Sequence, residues 1–209
     1  MTKKYQGLVN DKERSKQRLI NAVGKVLERE GYTGLTATKI AKEADLNRRL
    51  ISLYFDSVDN LVETYIKQKN YWPDALGTVK QLLEGKQGLS TNEIADILLK
   101  NQLEYFQNNS ELQKLTLWEL SQNSDLLESV SKEREELLLE IFQLTDKRVE
   151  SEKIDLRDIL ALLLAGSYYL VLHGKSTNSL FCGIDVNMEQ GMNGIKDTMS
   201  FILDKTLCN

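Results

Sequence analysis

Along most of the chain, apolar residues recur every three or four positions, the period of a helix, and they rarely alternate singly as they would in a strand. Residues 11–30 set Ile20, Val23 and Leu27 on one stripe, with Arg14, Arg18, Lys25 and Arg29 off it. Gly31 then supplies the left-handed stop that helix ends favour. Thr36 is a good N-cap for a short helix holding Ile40, Ala41 and Ala44. Asp45 interrupts, and Asn47 can cap a third helix over residues 48–54. Ser57 or Asp59 opens a fourth, with Leu61, Val62, Tyr65 and Ile66 apolar, and Pro73 ends or kinks it. Beyond Pro73 the spacing predicts helices over 91–107, 111–122, 126–149, 156–173 and 188–203. Residues 84–90 and 174–183 read as loops. The expected fold is all-α, with about nine helices.

A single Pro in 209 residues fits that reading, and 41% apolar residues are enough for a core. The net charge of −4 hides an asymmetry. Residues 1–62 carry 12 Lys and Arg against 8 Asp and Glu, while residues 63–209 carry 15 against 23. A basic end on an acidic body points to a polyanionic partner for the first part alone. The expected division is therefore 1–62 and 63–209. Residues 1–10 are polar and no apolar leader core follows, so a cytoplasmic location is expected. The most apolar stretch, 159–172, is shorter than the roughly 20 residues of a membrane span and reads as a core or interface helix. Cys182 and Cys208 lack metal-ligand spacing, and the lone His173 makes no metal site, so no metal or cofactor is expected.

Two short helices joined by a tight turn over residues 36–55 have the size of a helix-turn-helix. Ala41 is small where the helices would cross, and Ile40, Ala44, Leu46 and Ile51 are apolar where a small core needs them. Asp45 falls at the sharp turn, where Asp tolerates left-handed backbone. In such a unit the start of the second helix reaches base edges in the major groove. Here that start is Asn47, Arg48 and Arg49. Arg pairs in bidentate fashion with guanine and Asn with adenine. The helix dipole opposes cations at this end, so the arginine pair suits an anionic partner, although plain solvated surface accounts for the arginines alone equally well.

Residues 14–62 resemble the DNA-binding domain of the tetracycline-repressor (TetR) family of bacterial regulators. The resemblance is carried by Arg18-Leu19-Ile20 with Ala22, Glu30-Gly31-Tyr32, Leu35-Thr36, Ile40-Ala41 with Ala44, and above all Tyr54-Phe55 followed by Leu61. It implies a three-helix reader domain followed by a helical domain that binds a small effector and forms the homodimer. It further implies phosphate contacts from Thr36, Thr38 and Tyr54, groove contacts from Asn47, Arg48, Arg49 and Ser52, and double-stranded DNA as partner. Tyr54 also has a structural reading, as a core aromatic with an exposed hydroxyl. The sequence departs from the family pattern at Asp45, often Gly, and at Leu53, often aromatic or His. It departs again at Asp56 and Val58, both often Lys. Two backbone-facing cations are thus missing.

The helical body admits two purposes. One is dimerisation, which places two reader helices about 34–36 Å apart on a near-palindrome. Leu160, Leu163 and Leu164 with Ile195 and Met199 are the expected interface, and Ala165, Gly166 and Ser167 are small enough for close helix approach. The other is sensing. Tyr105, Phe106, Trp118, Phe142, Tyr168 and Tyr169, with Glu119 and Asn123 as polar anchors, are candidates for an effector pocket, although core filling explains each aromatic too. The first reading is a homodimeric repressor released by a small molecule; a body that binds a protein partner is the alternative. An all-helical enzyme finds no nucleophile–base pair, metal spacing or phosphate loop to support it, and no enzymatic activity is expected.

Overall fold

The computed structural model describes residues 3–69, 72–85, 89–121, 125–145 and 155–207. Among them are ten α-helices and one 3-10 turn. They are α1 (Lys3–Glu30), the 3-10 turn Tyr32–Gly34, α2 (Ala37–Ala44), α3 (Arg49–Phe55), α4 (Val58–Gln68) and α5 (Trp72–Glu84). Next come α6 (Thr91–Asn108), α7 (Ser110–Ser121), α8 (Asp125–Thr145), α9 (Leu156–Thr177) and α10 (Glu189–Leu207). The all-α architecture stands as expected. The helix not anticipated is α5. Pro73 is its second residue, not a stop, because a first-turn residue has no intrahelical use for the N–H that proline lacks. The residues expected to carry α8 on to Val149, like Asn123 and Cys208, lie outside the described residues.

The chain packs as two compact units. The first comprises residues 1–70 and 110–133, the second residues 71–109 and 134–209. In the first, the inner face of α1 (Leu19, Val23, Val26 and Leu27) is buried with Ile40, Ile51, Phe55, Leu61 and Tyr65. Leu115 of α7 and Leu127 of α8 complete this core. The first unit therefore draws on segments well beyond residue 62, which the residue periods alone do not reveal. In the second unit, Ala75, Leu76 and Val79 of α5 meet Ile94 and Leu98 of α6 and Ile141 of α8. The capping box at the start of α6 is complete: the Ser90 side chain accepts from the Glu93 N–H, and Glu93 accepts from the Ser90 N–H at 2.8 Å. Helix α9, of 22 residues, is longer than its most apolar stretch and is long and apolar enough to cross a membrane by length and composition. It packs on α6 and α10, yet only 28% of its apolar window is buried within the chain.

Candidate nucleic-acid interface

The turn between α2 and α3 is fixed by local chemistry. The Thr36 side chain accepts from the Lys39 N–H and caps α2. Asp45 stands in left-handed backbone (φ 51°, ψ 51°), and the N–H of Leu46 returns to the carbonyl of Ala41 at 3.0 Å, closing the helix as a Schellman-type end. Asn47 Oδ1 accepts from the Arg49 N–H at 2.9 Å in an Asx-type turn just ahead of α3, whose N-cap position is Arg48, and the Asn47 amide nitrogen remains to donate to a base. One contact had no signature in the sequence. The Arg18 guanidinium of α1 donates to the carbonyls of Ala44 (2.7 Å) and Asp45 (3.2 Å), and so ties α1 to the turn. At the other end of α3, Asp56 has φ 66° and ψ −42°, and the Ser57 N–H bonds the Phe55 carbonyl at 2.8 Å. This is a γ-turn with positive φ, a strained form for a residue with a Cβ. It leaves Ser57 free to cap α4 by accepting from the Asn60 N–H at 3.0 Å.

The cations around this motif fall into two groups. Arg29 pairs with Glu43 (2.9 Å) and Glu30 (2.9 Å), and Lys39 pairs with Glu30 (2.6 Å). These bonds brace the end of α1 against α2. Hydrogen bonds from Lys39 and then Arg29 hold the Glu30 carboxyl below its ordinary range, and Arg29 does the same for Glu43. Arg48 and Arg49 are different. Both are exposed at the start of α3, and neither has an ion-pair partner among the described residues. Thr36, Thr38, Asn47 and Ser52 are exposed as well. Tyr54 is half-buried against the core, with the Lys12 ammonium 5.8 Å from its ring centre. Leu53, an apolar residue on this short helix, is 70% exposed.

This is the geometry of a helix-turn-helix whose second helix offers unpaired guanidinium groups to solvent. Residues 19–65 match the family described as bacterial regulatory proteins, tetR family. This segment of the chain, from α1 to α4, is therefore similar to the DNA-binding domain of the tetR family. Solved structures of this fold span nearly the whole chain. A TetR transcription regulator from Haloarcula marismortui is 17% identical with a TM-score of 0.66, covering 92% of this chain and 98% of its own. The regulator FadR from Bacillus subtilis, solved in complex with stearoyl-CoA, is 17% identical with a TM-score of 0.62, covering 90% and 96%. The fatty acid degradation regulator FadR from Bacillus halodurans is 18% identical with a TM-score of 0.62, covering 93% and 97%. No curated protein matches the sequence.

The aromatic residues expected to line an effector pocket do not converge on one pocket. Phe106 is fully buried and stacks on Tyr168 with ring centres 4.2 Å apart. Tyr105 faces a polar hollow beside Asp74 and Glu104. Trp118 and Glu119 belong to the first unit, where Trp118 stacks on Tyr32 and Glu119 accepts from the Ser131 hydroxyl at 2.7 Å. Phe142 alone of the six lines the apolar cavity of the second unit, of about 300 Å³. Leu160 and Leu164, expected at the interface, line that cavity too, with Leu98, Leu138 and Ile141. Arg157, Asp158 and Glu135 supply its polar atoms, and the Arg157 guanidinium lies 5.0 Å from the Phe142 ring centre. Met199 is in the core, while Leu163 and Ile195 are half-buried. The apolar residues that do reach the surface of α9 and α10 are Leu162 (75% exposed), Tyr169 (53%) and Phe201 (61%). The spacing pattern located the apolar helices but not the rotation of each about its axis, which is what separates cavity, core and surface.

Proposed function

We propose that the protein is a homodimeric repressor that leaves a near-palindromic operator when a largely apolar, anionic-headed small molecule enters the second unit. The observation that carries this reading is the cavity bounded by α6, α8 and α9. Its lining is leucine, isoleucine, phenylalanine and alanine, with Arg157, Asp158 and Glu135 as its charged groups. Such a lining takes an alkyl chain by burying it, and Arg157 is its one cationic partner for an anionic head, beside two carboxylates. The stearoyl-CoA bound to the FadR neighbour has this chemistry. In the reader, Arg48 and Arg49 contact guanine edges, with Asn47 and Ser52 beside them. Thr36, Thr38 and Tyr54 take phosphate. Leu53 adds an apolar surface suited to a thymine methyl group, a role its position suggested only once its exposure was known.

The dimer forms through the exposed faces of α9 and α10. Leu162, Tyr169 and Phe201 are its apolar contacts, and Gly166 and Gly194, with open space where a Cβ would stand, admit the partner's backbone. A second copy accounts for an apolar helix that its own chain leaves mostly uncovered.

An effector acts only by favouring the DNA-free state over the bound one. Stearoyl-CoA added to the protein–operator complex is therefore expected to raise the Kd for DNA by at least about tenfold, roughly 1.4 kcal/mol of coupling. Free coenzyme A, lacking the chain, leaves it unchanged. Release by coenzyme A alone, or no release by any long-chain acyl thioester, contradicts the apolar-effector reading while leaving DNA binding itself intact.

A further inference from the structure

Helix α6 buries Ile94, Leu98, Leu99, Leu103 and Phe106, and in their midst stands one amide, Gln102, which is 1% exposed. Its nitrogen donates to the Tyr168 hydroxyl of α9, whose ring stacks on Phe106. Its buried oxygen has no hydrogen-bond partner among the described residues. Turning the amide over exchanges oxygen and nitrogen but leaves the same end orphaned. Buried polar groups are paired in the great majority of cases, because an orphan gives up its hydration with nothing in return. A methionine would fill nearly the same space without that cost. The lone end therefore points to a partner that the chain itself does not provide.

The place of this amide says what that partner is. Leu98 and Leu99 line the apolar cavity of the second unit, and Gln102 follows them by one helical turn on the same face of α6. Leu164 lines the cavity from α9, and Tyr168 follows it by one turn in the same way. The pair is thus the next layer of the seam between α6 and α9, just past the cavity lining. Arg157, the one cation of that lining, stands eleven residues before Tyr168, about 16 Å along the axis of α9. We infer that the Gln102–Tyr168 pair is a distal subsite of the effector cavity, and that it selects an effector carrying a hydroxyl group at the far end of its alkyl chain. The inference rests on the effector reading given above. A hydroxyl both donates and accepts, so it satisfies the orphaned end in either orientation of the amide. A methyl end satisfies neither. A carboxylate there would give up its hydration against a neutral amide and a phenol.

Calorimetric titration of the full-length protein tests this. The ligands are decanoate, dodecanoate, tetradecanoate and hexadecanoate, each beside its ω-hydroxy counterpart. In a pocket that is apolar to its end, a terminal hydroxyl weakens binding at every length, because its hydration is lost. The expected result is a reversal. At the length that reaches Gln102, the hydroxylated chain binds at least about tenfold tighter than the plain one, while shorter pairs keep the ordinary order. Gln102→Met, close in shape and apolar, is expected to bind the plain chain as the natural protein does and to lose the reversal. Plain chains that bind tighter at every length would overturn the distal subsite and leave the cavity reading standing. A reversal that survives in folded Gln102→Met would do the same. Binding of neither series would overturn the cavity reading and the subsite together. The paired ligands on unaltered protein decide the matter even if the variant does not fold.

Discussion

At the scale of single residues, the reader motif depends on backbone conformations that its side chains do not favour. Asp45 was legible: a short polar residue between two apolar runs marks a left-handed turn, and it has φ 51°. The strain at Asp56 was not legible, because nothing in Phe-Asp-Ser announces a one-residue turn between two helices. Asp56→Gly removes the Cβ from that positive φ and is expected to stabilise the protein by about 1 kcal/mol, after allowing for the greater freedom glycine gives the unfolded chain. A thermal melt measures it, and a lower Tm would show that the Asp56 carboxylate contributes more than its backbone costs. Arg18 teaches a related lesson. Its sequence position off the apolar stripe suggested solvent, yet its guanidinium reaches two carbonyls of the turn. A long side chain can cross to a neighbouring element, and periodicity describes only its own helix.

At the scale of elements, most helices and some of their caps could be read from spacing, since Thr36 and Ser57 sit where N-caps should and accept as N-caps do. Packing between elements could not. Gly24 reads as a stray glycine in a helix, and the structure shows its purpose: a Cβ there would stand 2.7 Å from the Tyr65 hydroxyl and 2.8 Å from a Glu111 carboxylate oxygen. The glycine lets α1, α4 and α7 approach closely. Gly24→Ala improves helix propensity by about 1 kcal/mol but overpacks a fully buried tyrosine, at a cost of about 1–3 kcal/mol. The expected net effect is a Tm lower by a few degrees. A higher Tm would mean Tyr65 has room to move. Pro73 is the complementary case, where a residue known for ending helices begins one, and only its position within the turn decides which.

At the scale of the molecule, the basic start and acidic body agree with the helix-turn-helix in pointing to the first unit as the proposed DNA-binding end, and the helix-turn-helix was legible down to its turn. The aromatic effector set was not, because six aromatic residues that look alike in sequence lie in different surroundings once folded. The dimer face is argued from exposed apolar area on α9 and α10. Leu162→Arg with Phe201→Arg places charge on it and is expected to turn a dimer into a folded monomer in light scattering, with operator affinity reduced by at least about tenfold through loss of the second half-site. A variant that remains dimeric would move the interface elsewhere. The central claim is that α3 reads DNA through Arg48 and Arg49. Fluorescence anisotropy on the DNA upstream of the protein's own gene, with unrelated DNA as competitor and at two salt concentrations, tests it most directly. Binding that survives competitor, weakens with salt, and is abolished by Arg48→Ala with Arg49→Ala in a folded dimer is the predicted result. Specific binding left unchanged by that double substitution would contradict it.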